Sequence, residues 1–435
     1  MTARHSLYTA IVLLLARSAA IAQTDPVPTF EAAAASAQRN VAEVPASAKS
    51  LAPARRPAAA PSVPWNPTRQ PAKVPSAPSR RPQAKSGRQA PPISRDFDPN
   101  AKPIAPMLGQ PDIDQAYTLT QTANTEDDYS KVIELCKSGL QKGVESKVTV
   151  YGRKLSSWAY NRRGESRADA GKIKEAFEDF DAAAGLNSGQ WRAIHNRGVC
   201  NAMLGNHTAA IADFTRTIEL NPKFANALFN RGEMLYEKRD FAAAVRDYNE
   251  ALKLAPRDAA ALNSRGHALY RLQRYAEALA DYSKAIEIDP SSAAALVNRG
   301  DLQADQGNFA EAAKDYRSAI SANPSLGRAY QSAAWLMATC PDEKFRNPEL
   351  AIEAAQKAVE LDGDTDFRYL ETLAAAQANA GEFEAAIKTQ ERAIELAPTA
   401  VAQVYRGRME KFRAGRPHRE PSAKFAIDSP AAARR

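Results

Sequence analysis

The stretch of sequence that decides the fold is residues 225–258, ANALFNRGEMLYEKRDFAAAVRDYNEALKLAPRD. Its arginine–glycine pair at 231–232 recurs at 163–164, 197–198, 265–266 and 299–300, with consecutive copies 34 residues apart. The proline at position 256 recurs with the same interval at positions 222, 290 and 324. Independent positions that stay in phase over several copies identify an internal repeat, and a period of this length is typical of stacked helical hairpins.

The second half of the unit carries a helical pattern of small and aromatic residues. It consists of Ala244, Tyr248 and Ala251 in the quoted stretch, and it recurs at 176/180/183, 278/282/285 and 312/316/319. The glycine of each arginine–glycine pair stands inside a helix, where glycine costs about 1 kcal/mol relative to alanine. We therefore expect another helix to pass too close for a Cβ, with the alanines facing the glycine and the aromatic ring filling the groove towards the next repeat. The proline then ends the second helix, because proline cannot continue it.

On these residues the chain resembles the tetratricopeptide repeat (TPR) over residues 157–400. The resemblance implies an all-α fold, a right-handed superhelix (α-solenoid) in which helix A of each unit lines the concave face. With the glycine at the eighth position, the seven units are 157–190, 191–224, 225–258, 259–292, 293–326, 327–366 and 367–400. The sixth unit has Ala334 in the glycine place, and an insertion at 339–348 lengthens the loop between its helices.

Both ends of the array need a cap, because a terminal repeat exposes a face that an internal repeat buries. We interpret residues 111–156 as a divergent N-terminal helical hairpin, residues 401–421 as a C-terminal capping helix and residues 422–435 as a disordered tail. The closing repeats, with AWLMATCPD at 334–342 and YLETLAAA at 369–376, resemble exported multi-repeat TPR proteins of environmental bacteria. That resemblance implies a bacterial origin and leaves the ligand open.

The first 22 residues have the three parts of a secretory signal peptide. Arg4 gives a basic start, residues 7–16 are largely apolar, and Ala20-Ile21-Ala22 predicts cleavage between Ala22 and Gln23. The apolar run is too short to span a bilayer, which needs about 20 residues. We therefore expect an exported protein, periplasmic or secreted, without a transmembrane segment after cleavage. Since Arg17 is unusual so late in a signal peptide, an uncleaved amphipathic anchor is the alternative.

Residues 23–110 have the composition of a disordered linker. Of the 28 prolines in the chain, 18 lie between positions 26 and 111, and large apolar residues are scarce there. The linker has 12 Lys and Arg against 5 Asp and Glu, and residues 401–435 have 9 against 3, whereas residues 111–400 have 35 against 42. The folded part therefore has no net positive charge, and we expect no specific nucleic-acid binding. The basic linker is either a soluble spacer or a contact with an anionic envelope surface.

The concave face is the expected binding site. In the proteins that the repeat resembles, positions two, five, six, nine, twelve and thirteen of a unit face the groove, and asparagines at position six clamp the backbone of an extended ligand. Carried over to this chain, the resemblance gives Asn196, Asn230 and Asn298 as backbone clamps, with Ser264 interrupting the row. The neighbouring groove positions, which would set specificity, include Asn161, His195, Phe229, Tyr236, Asn263, His267, Tyr270, Arg271 and Trp335.

An alternative interpretation of the asparagines is purely structural. An amide side chain both donates and accepts hydrogen bonds, so it suits a peptide backbone and a neighbouring turn equally well. If the clamp interpretation holds, replacing Asn196, Asn230 and Asn298 with alanine should abolish partner capture without lowering the melting temperature.

A second ladder of polar residues is expected to be structural. Arginines and aspartates alternate in register, each aspartate sixteen residues after its arginine: Arg163/Asp179, Arg197/Asp213, Arg231/Asp247, Arg265/Asp281 and Arg299/Asp315. We expect ion pairs within or between repeats, each worth under about 1 kcal/mol if exposed.

No residue pattern in the chain points to catalysis, a metal or a cofactor. The histidines lack metal-ligand spacing, and there is no phosphate-binding loop or nucleophile elbow. The three cysteines match no zinc pattern and are expected to be buried.

The sequence therefore favours a non-enzymatic scaffold that binds peptide or protein segments in its concave groove. The alternatives are a structural envelope protein anchored through its basic linker, or an accessory subunit of a secretion or assembly complex.

Overall fold

The computed structural model describes residues 110–423. The signal peptide, the linker and the tail predicted at 1–22, 23–110 and 422–435 lie outside these residues, except at positions 110, 422 and 423. Residues 110–423 form seventeen α-helices, one 3₁₀ helix and no strand.

The N-terminal cap and the first repeat comprise α1 (Gln110–Thr120), α2 (Glu126–Gln141), α3 (Ser146–Asp169) and α4 (Ile173–Leu186). The next four repeats are α5 (Trp191–Met203) with α6 (His207–Leu220), α7 (Ala225–Glu237) with α8 (Phe241–Leu254), α9 (Ala259–Arg271) with α10 (Tyr275–Ile288), and α11 (Ala293–Asp305) with α12 (Phe309–Ala322). The last elements are α13 (Gly327–Thr339), the 3₁₀ helix Glu343–Phe345, α14 (Pro348–Asp362), α15 (Phe367–Asn379), α16 (Phe383–Leu396) and α17 (Thr399–Arg413).

Each helix packs against the next one in the chain, and the A helices of adjacent repeats also touch. The A helices from α5 to α13 begin 34 residues apart, and each proline of the repeat follows directly on the residue that caps a B helix, as Pro256 follows Ala255. The predicted all-α solenoid is confirmed. Helix α3 differs from the 34-residue register, because it starts at Ser146 and runs without a break through position 157 into the first repeat.

The turn between helix A and helix B requires a left-handed residue in each of the first five repeats. Gly171, Gly205 and Gly307 have φ values of 76°, 80° and 81°, whereas Arg239 and Gln273 adopt φ values of 65° and 59° at the equivalent positions. A side chain in this conformation costs roughly 1–2 kcal/mol, which glycine avoids.

We therefore expect Arg239→Gly and Gln273→Gly each to raise the free energy of unfolding by about 0.5–1 kcal/mol, after the entropy of the unfolded glycine is subtracted. Urea denaturation followed by circular dichroism measures the change. Gly205→Ala, the reverse substitution at an equivalent turn, should lower stability. An unchanged or lowered stability of both glycine variants would contradict the role of the left-handed turn.

The glycine inside each helix A faces an aromatic ring. A Cβ on Gly232 would lie 2.7 Å from the ring of Tyr248, and the equivalent pairs of the other repeats (164/180, 198/214, 266/282 and 300/316) are as close. The sequence analysis expected alanines to face the glycine. The ring of Tyr248, which is fully buried and belongs to the same repeat, lies closest to it instead, while Ala278 contributes its carbonyl oxygen at Gly266. The glycine is needed because helix B presents a ring at this point.

The ladder of arginines and aspartates forms the predicted ion pairs, but they are not exposed. Arg231 donates from Nε and Nη2 to the two carboxylate oxygens of Asp247 at 2.7 and 2.8 Å, and its third nitrogen reaches Thr215 Oγ1 in the preceding repeat. The Asp247 side chain is only 10% exposed. All five predicted pairs form in this way. Each arginine therefore joins both helices of its own repeat to the repeat before it.

The insertion in the sixth repeat forms the 3₁₀ helix and an ordered connection to α14. Asn347 caps α14 by accepting from the Leu350 amide, and Pro348 takes the first helical position, where its missing N–H is not needed. Helix α17 packs on α16 and covers the end of the array. In the described part of the chain, none of the helices has the length and apolar character that a membrane span needs.

Candidate functional site

A network of amides and one imidazole crosses the first three repeats. Asn196 Nδ2 donates to Asn161 Oδ1 at 3.2 Å, and Asn196 Oδ1 lies 3.3 Å from His195 Nδ1. The other ring nitrogen, His195 Nε2, lies 3.0 Å from Asn230 Nδ2. Because an amide nitrogen only donates, Nε2 accepts and the proton of the neutral ring is on Nδ1. All four side chains are buried, and the network fixes the A helices of three repeats against one another.

The network follows a rule that links position five of one repeat to position six of the next. Asn263 accepts from Asn298 Nδ2 at 2.9 Å, and Gln331 donates to Thr372 Oγ1 at 3.0 Å. Where position five is apolar, the next position six is a serine: Phe229 precedes Ser264, and Val297 precedes Ser332. The interruption at Ser264 is thus explained, because an amide there would have no acceptor on Phe229.

Two of the amides at position six have a buried oxygen without a donor. Among the described residues, Asn230 Oδ1 and Asn298 Oδ1 have no hydrogen-bond partner, although both side chains are at most 7% exposed. A buried acceptor that stays unpaired costs about 1–3 kcal/mol. The amides are therefore held by the neighbouring repeat through their nitrogens, and each leaves one buried oxygen without a donor.

The remaining predicted groove residues differ in their accessibility. Tyr236, Asn263, His267 and Tyr270 are half-buried, Phe229 is nearly buried, and Arg271 is exposed with its guanidinium over the ring of Phe241. Tyr236 Oη lies 3.3 Å from His267 Nε2, and Tyr270 Oη donates to Asp305 at 2.7 Å. Trp335 is half-buried beneath the C-terminal segment 416–423, which the sequence analysis did not place in the groove.

Acids and bases alternate along the groove. Tyr248 and Tyr316 donate to Glu233 and Asp301, and Arg328 pairs with Asp301 at 2.9 Å. The sequence analysis missed Asp305, which a count of position thirteen in each unit would have found. With both signs of charge present, the face suits a polypeptide of mixed character better than a polyanion.

The two groove histidines make the array sensitive to acid. Burial lowers the pKa of His195 to about 4, and burial with the nearby Arg328 and Arg271 lowers the pKa of His267 to about 4. Both values lie below that of the unfolded chain, about 6.5, so the unfolded state takes up protons first as the pH falls.

We therefore expect the free energy of unfolding to be unaffected by these groups above about pH 6.5 and to fall from there to about pH 4, by up to about 1.4 kcal/mol per pH unit for each histidine. Urea denaturation at about pH 7 and about pH 5 measures the difference. The double variant His195→Gln/His267→Gln should show a smaller difference between the two pH values. Equal pH dependence of the variant and the wild type would contradict the assignment.

The three cysteines lie inside the array. Burial raises the pKa of Cys136 and Cys340 to about 11 and that of Cys200 to about 12, and all three thiols are buried, as predicted. Among the described residues, no three His, Cys, Asp or Glu side chains cluster as metal ligands would.

Comparison with known families finds tetratricopeptide repeats along the array. Profiles described as tetratricopeptide repeat match residues 161–223, 204–259, 293–326 and 367–399, and one described as TPR repeat matches residues 266–307. Among curated proteins, none matches the chain significantly.

Several solved structures are similar to the array. A tetratricopeptide repeat protein from Parabacteroides merdae ATCC 43184 is 20% identical over 59% of this chain and 98% of that one, with a TM-score of 0.47. YrrB, a TPR protein described as having an unusual peptide-binding site, is 21% identical over 40% of this chain and 89% of that one, with a TM-score of 0.35. MamA 41-end from Desulfovibrio magneticus RS-1 is 19% identical over 39% and 96%, with a TM-score of 0.37.

Proposed function

The chain is a tetratricopeptide-repeat protein, and we propose that it is a scaffold whose concave face binds extended segments of partner proteins. The repeat fold is typically a non-enzymatic interaction scaffold. The observation that carries the proposal is the pair of buried, unpartnered oxygens on Asn230 and Asn298. Both stand at position six of helix A, a groove position in the resemblance set out above, and a main-chain N–H of an extended segment that reached them would supply the missing donor.

The groove residues suit a ligand that is recognised mainly through its backbone and only secondarily through its side chains. The amides of the third and fifth repeats offer acceptors, while Tyr236, Tyr270 and Arg271 between them offer aromatic and charged surface for a ligand's side chains. A segment bound in this way would be held in an extended conformation and selected loosely by sequence. The half-buried Ser264 lies between the two clamps and, among the described residues, engages in no hydrogen bond.

We expect Ser264→Trp to block the groove with little change in stability, since it removes no hydrogen bond and adds a bulky ring between the clamps. The matched control is Ala276→Trp, which places the same ring at an exposed position of helix α10. Partner capture by the full chain should fall at least tenfold for Ser264→Trp and stay unchanged for Ala276→Trp. Equal capture by both variants, with both fully folded, would refute the proposal.

We also propose that the protein is exported, periplasmic or secreted. The basic start, the short apolar run and the Ala-Ile-Ala sequence of residues 1–22 support this. The mature chain is then expected to begin at Gln23, which mass spectrometry of the protein from the envelope and culture fractions measures. A chain that retains residues 1–22 in the membrane fraction would instead favour the uncleaved anchor.

A further inference from the structure

The C-terminal segment 416–423 lies on the concave side of the last repeats. After helix α17 the chain reverses at Gly415, which has a φ of 65°, and then crosses helices α15 and α13 towards the turn that contains Gly307. Trp335, Ala338 and Thr339, which it contacts, stand at positions nine, twelve and thirteen of the sixth unit. These are positions that face the groove in the resemblance set out above.

The segment is held by one main-chain hydrogen bond and by the side chain of Arg419. The Glu420 amide donates to the carbonyl oxygen of Thr339 at 2.9 Å. Arg419 donates to the carbonyl oxygen of Ala338 at 2.9 Å and to Asn379 Oδ1 at 2.7 Å. A main-chain hydrogen bond combined with a basic side chain that reaches two acceptors is how a groove holds an extended peptide.

Aromatic and charged side chains also hold the segment in the groove. The rings of His418 and Trp335 lie 5.9 Å apart. The guanidinium of Arg408 also packs against the Trp335 ring, at 5.1 Å from its centre. Arg408 is also 3.9 Å from the Glu420 carboxylate. His418 is 9% exposed, although it lies beyond the last helix.

The far end of the segment touches the turn of the fifth repeat. A Cβ added to Gly307 would lie 2.5 Å from the carbonyl oxygen of Ser422, whereas the equivalent Cβ at Gly205 would meet nothing within 4 Å. Between the segment and the groove, a cavity of only about 40 Å³ remains, lined in part by Phe309, Trp335 and Pro421. The segment therefore fills this end of the groove.

We propose that residues 416–423 are an intramolecular ligand, a strap that occupies the groove of the fifth to seventh repeats and that a partner segment of like chemistry displaces. Such a segment is extended, with an arginine that reaches Ala338 and Asn379, then an acid that faces Arg408, then a proline. Because the strap is tethered to the array, its effective concentration at the groove is high. A partner segment must therefore bind the groove more tightly than a free peptide with the strap's sequence in order to displace it. The inference rests on the proposed function in treating the concave face as a site for extended segments.

The test uses a fluorescent peptide with the sequence of residues 416–423, RPHREPSA, and fluorescence anisotropy. The peptide should bind a chain that ends at Gly415 and not the full chain. The same peptide with Arg419→Ala should bind the shortened chain at least tenfold more weakly. Failure to bind the shortened chain, when circular dichroism gives it the helicity of the full chain, overturns the proposal, and so does equal binding to both chains.

A second pair of variants tests the strap while it remains part of the chain. Gly307→Ala and Gly205→Ala impose the same left-handed strain on equivalent turns, but only the first collides with Ser422. Gly307→Ala should speed hydrogen exchange of the Glu420 amide and admit a shorter peptide of residues 416–421, which lacks Ser422, and Gly205→Ala should do neither. The same response from both variants would assign the effect to general loosening and overturn the strap.

The outcome is separable from that of the proposed function. Ser264 lies in the fourth repeat, outside the strap's contacts, so Ser264→Trp combined with the chain end at Gly415 should leave peptide binding unchanged. Undiminished partner capture by Ser264→Trp together with intact peptide binding refutes the proposed function alone. Loss of partner capture together with absent peptide binding refutes the strap alone.

Discussion

Replacement of Arg231 with methionine is expected to lower the free energy of unfolding by about 3–5 kcal/mol, because it leaves the carboxylate of Asp247 buried without its cation. The two groups share two hydrogen bonds, at 2.7 and 2.8 Å, and the aspartate side chain is only 10% exposed. The hydrogen bond to Asp247 raises the pKa of Arg231, which keeps the arginine charged. The loss also removes the bond to Thr215, so the second and third repeats should separate more easily.

Two variants separate the ion pair from general damage. The double variant Arg231→Met/Asp247→Leu should recover most of the loss, since no charge is then left buried. Arg216→Met breaks a pair with Glu219 whose two side chains are about half exposed, and it should change stability by less than about 1 kcal/mol. Urea denaturation followed by circular dichroism measures all three. Equal losses for Arg231→Met and Arg216→Met would contradict the buried ladder.

Replacement of Asn196, Asn230 and Asn298 with alanine is expected to destabilise the array as well as to abolish binding. Each amide nitrogen is bonded to the preceding repeat, and its removal leaves an acceptor without its donor, on the buried Asn161 and His195 and on the half-buried Asn263. A buried polar group left unpaired costs about 1–3 kcal/mol, so the triple variant should lose several kcal/mol. The sequence analysis expected an unchanged melting temperature for this triple variant. The hydrogen bonds between repeats predict that it falls.

The chain contains a matched control at the interruption of the row. Ser264→Ala alters the same register position, but its hydroxyl makes no hydrogen bond within the described residues, and stability should change by less than about 0.5 kcal/mol. Thermal denaturation of the three single asparagine variants and of Ser264→Ala measures the contrast. Four equal melting temperatures would mean that the amides do not link the repeats.

The repeat fold could be predicted from the sequence because the same contacts between helices A and B recur in successive units. In each of the first five repeats helix A has a glycine beneath a ring and the repeat has a buried ion pair, and both features return every 34 residues, as at Gly232 and Arg231. Pairing partners that lie at a fixed spacing within the period, such as Arg231 and Asp247, could be predicted with it. Their burial could not, because the spacing alone does not say which faces of the helices meet.

The binding face could be predicted only in outline. The row of asparagines is visible in the sequence, but the bond from position six to position five of the preceding repeat depends on how adjacent A helices are stacked. The strap leaves no trace in the pattern at all: Arg419 and Ala338 are 81 positions apart, and residues 416–423 have no periodicity. Its contacts combine single side chains, such as that of Arg419, with main-chain groups that every residue type carries, and neither forms a pattern in the sequence.

The claim that the concave face holds extended partner segments is tested most directly by site-specific photo-crosslinking in the cell that produces the protein. A photoreactive phenylalanine analogue is placed at Ser264, between the two clamps, and in a second strain at Ala276, on the outer face of helix α10. The account predicts that position 264 crosslinks to continuous segments of partner proteins, identified by mass spectrometry, and that position 276 does not. Partner crosslinks at position 276 together with none at position 264 would contradict it.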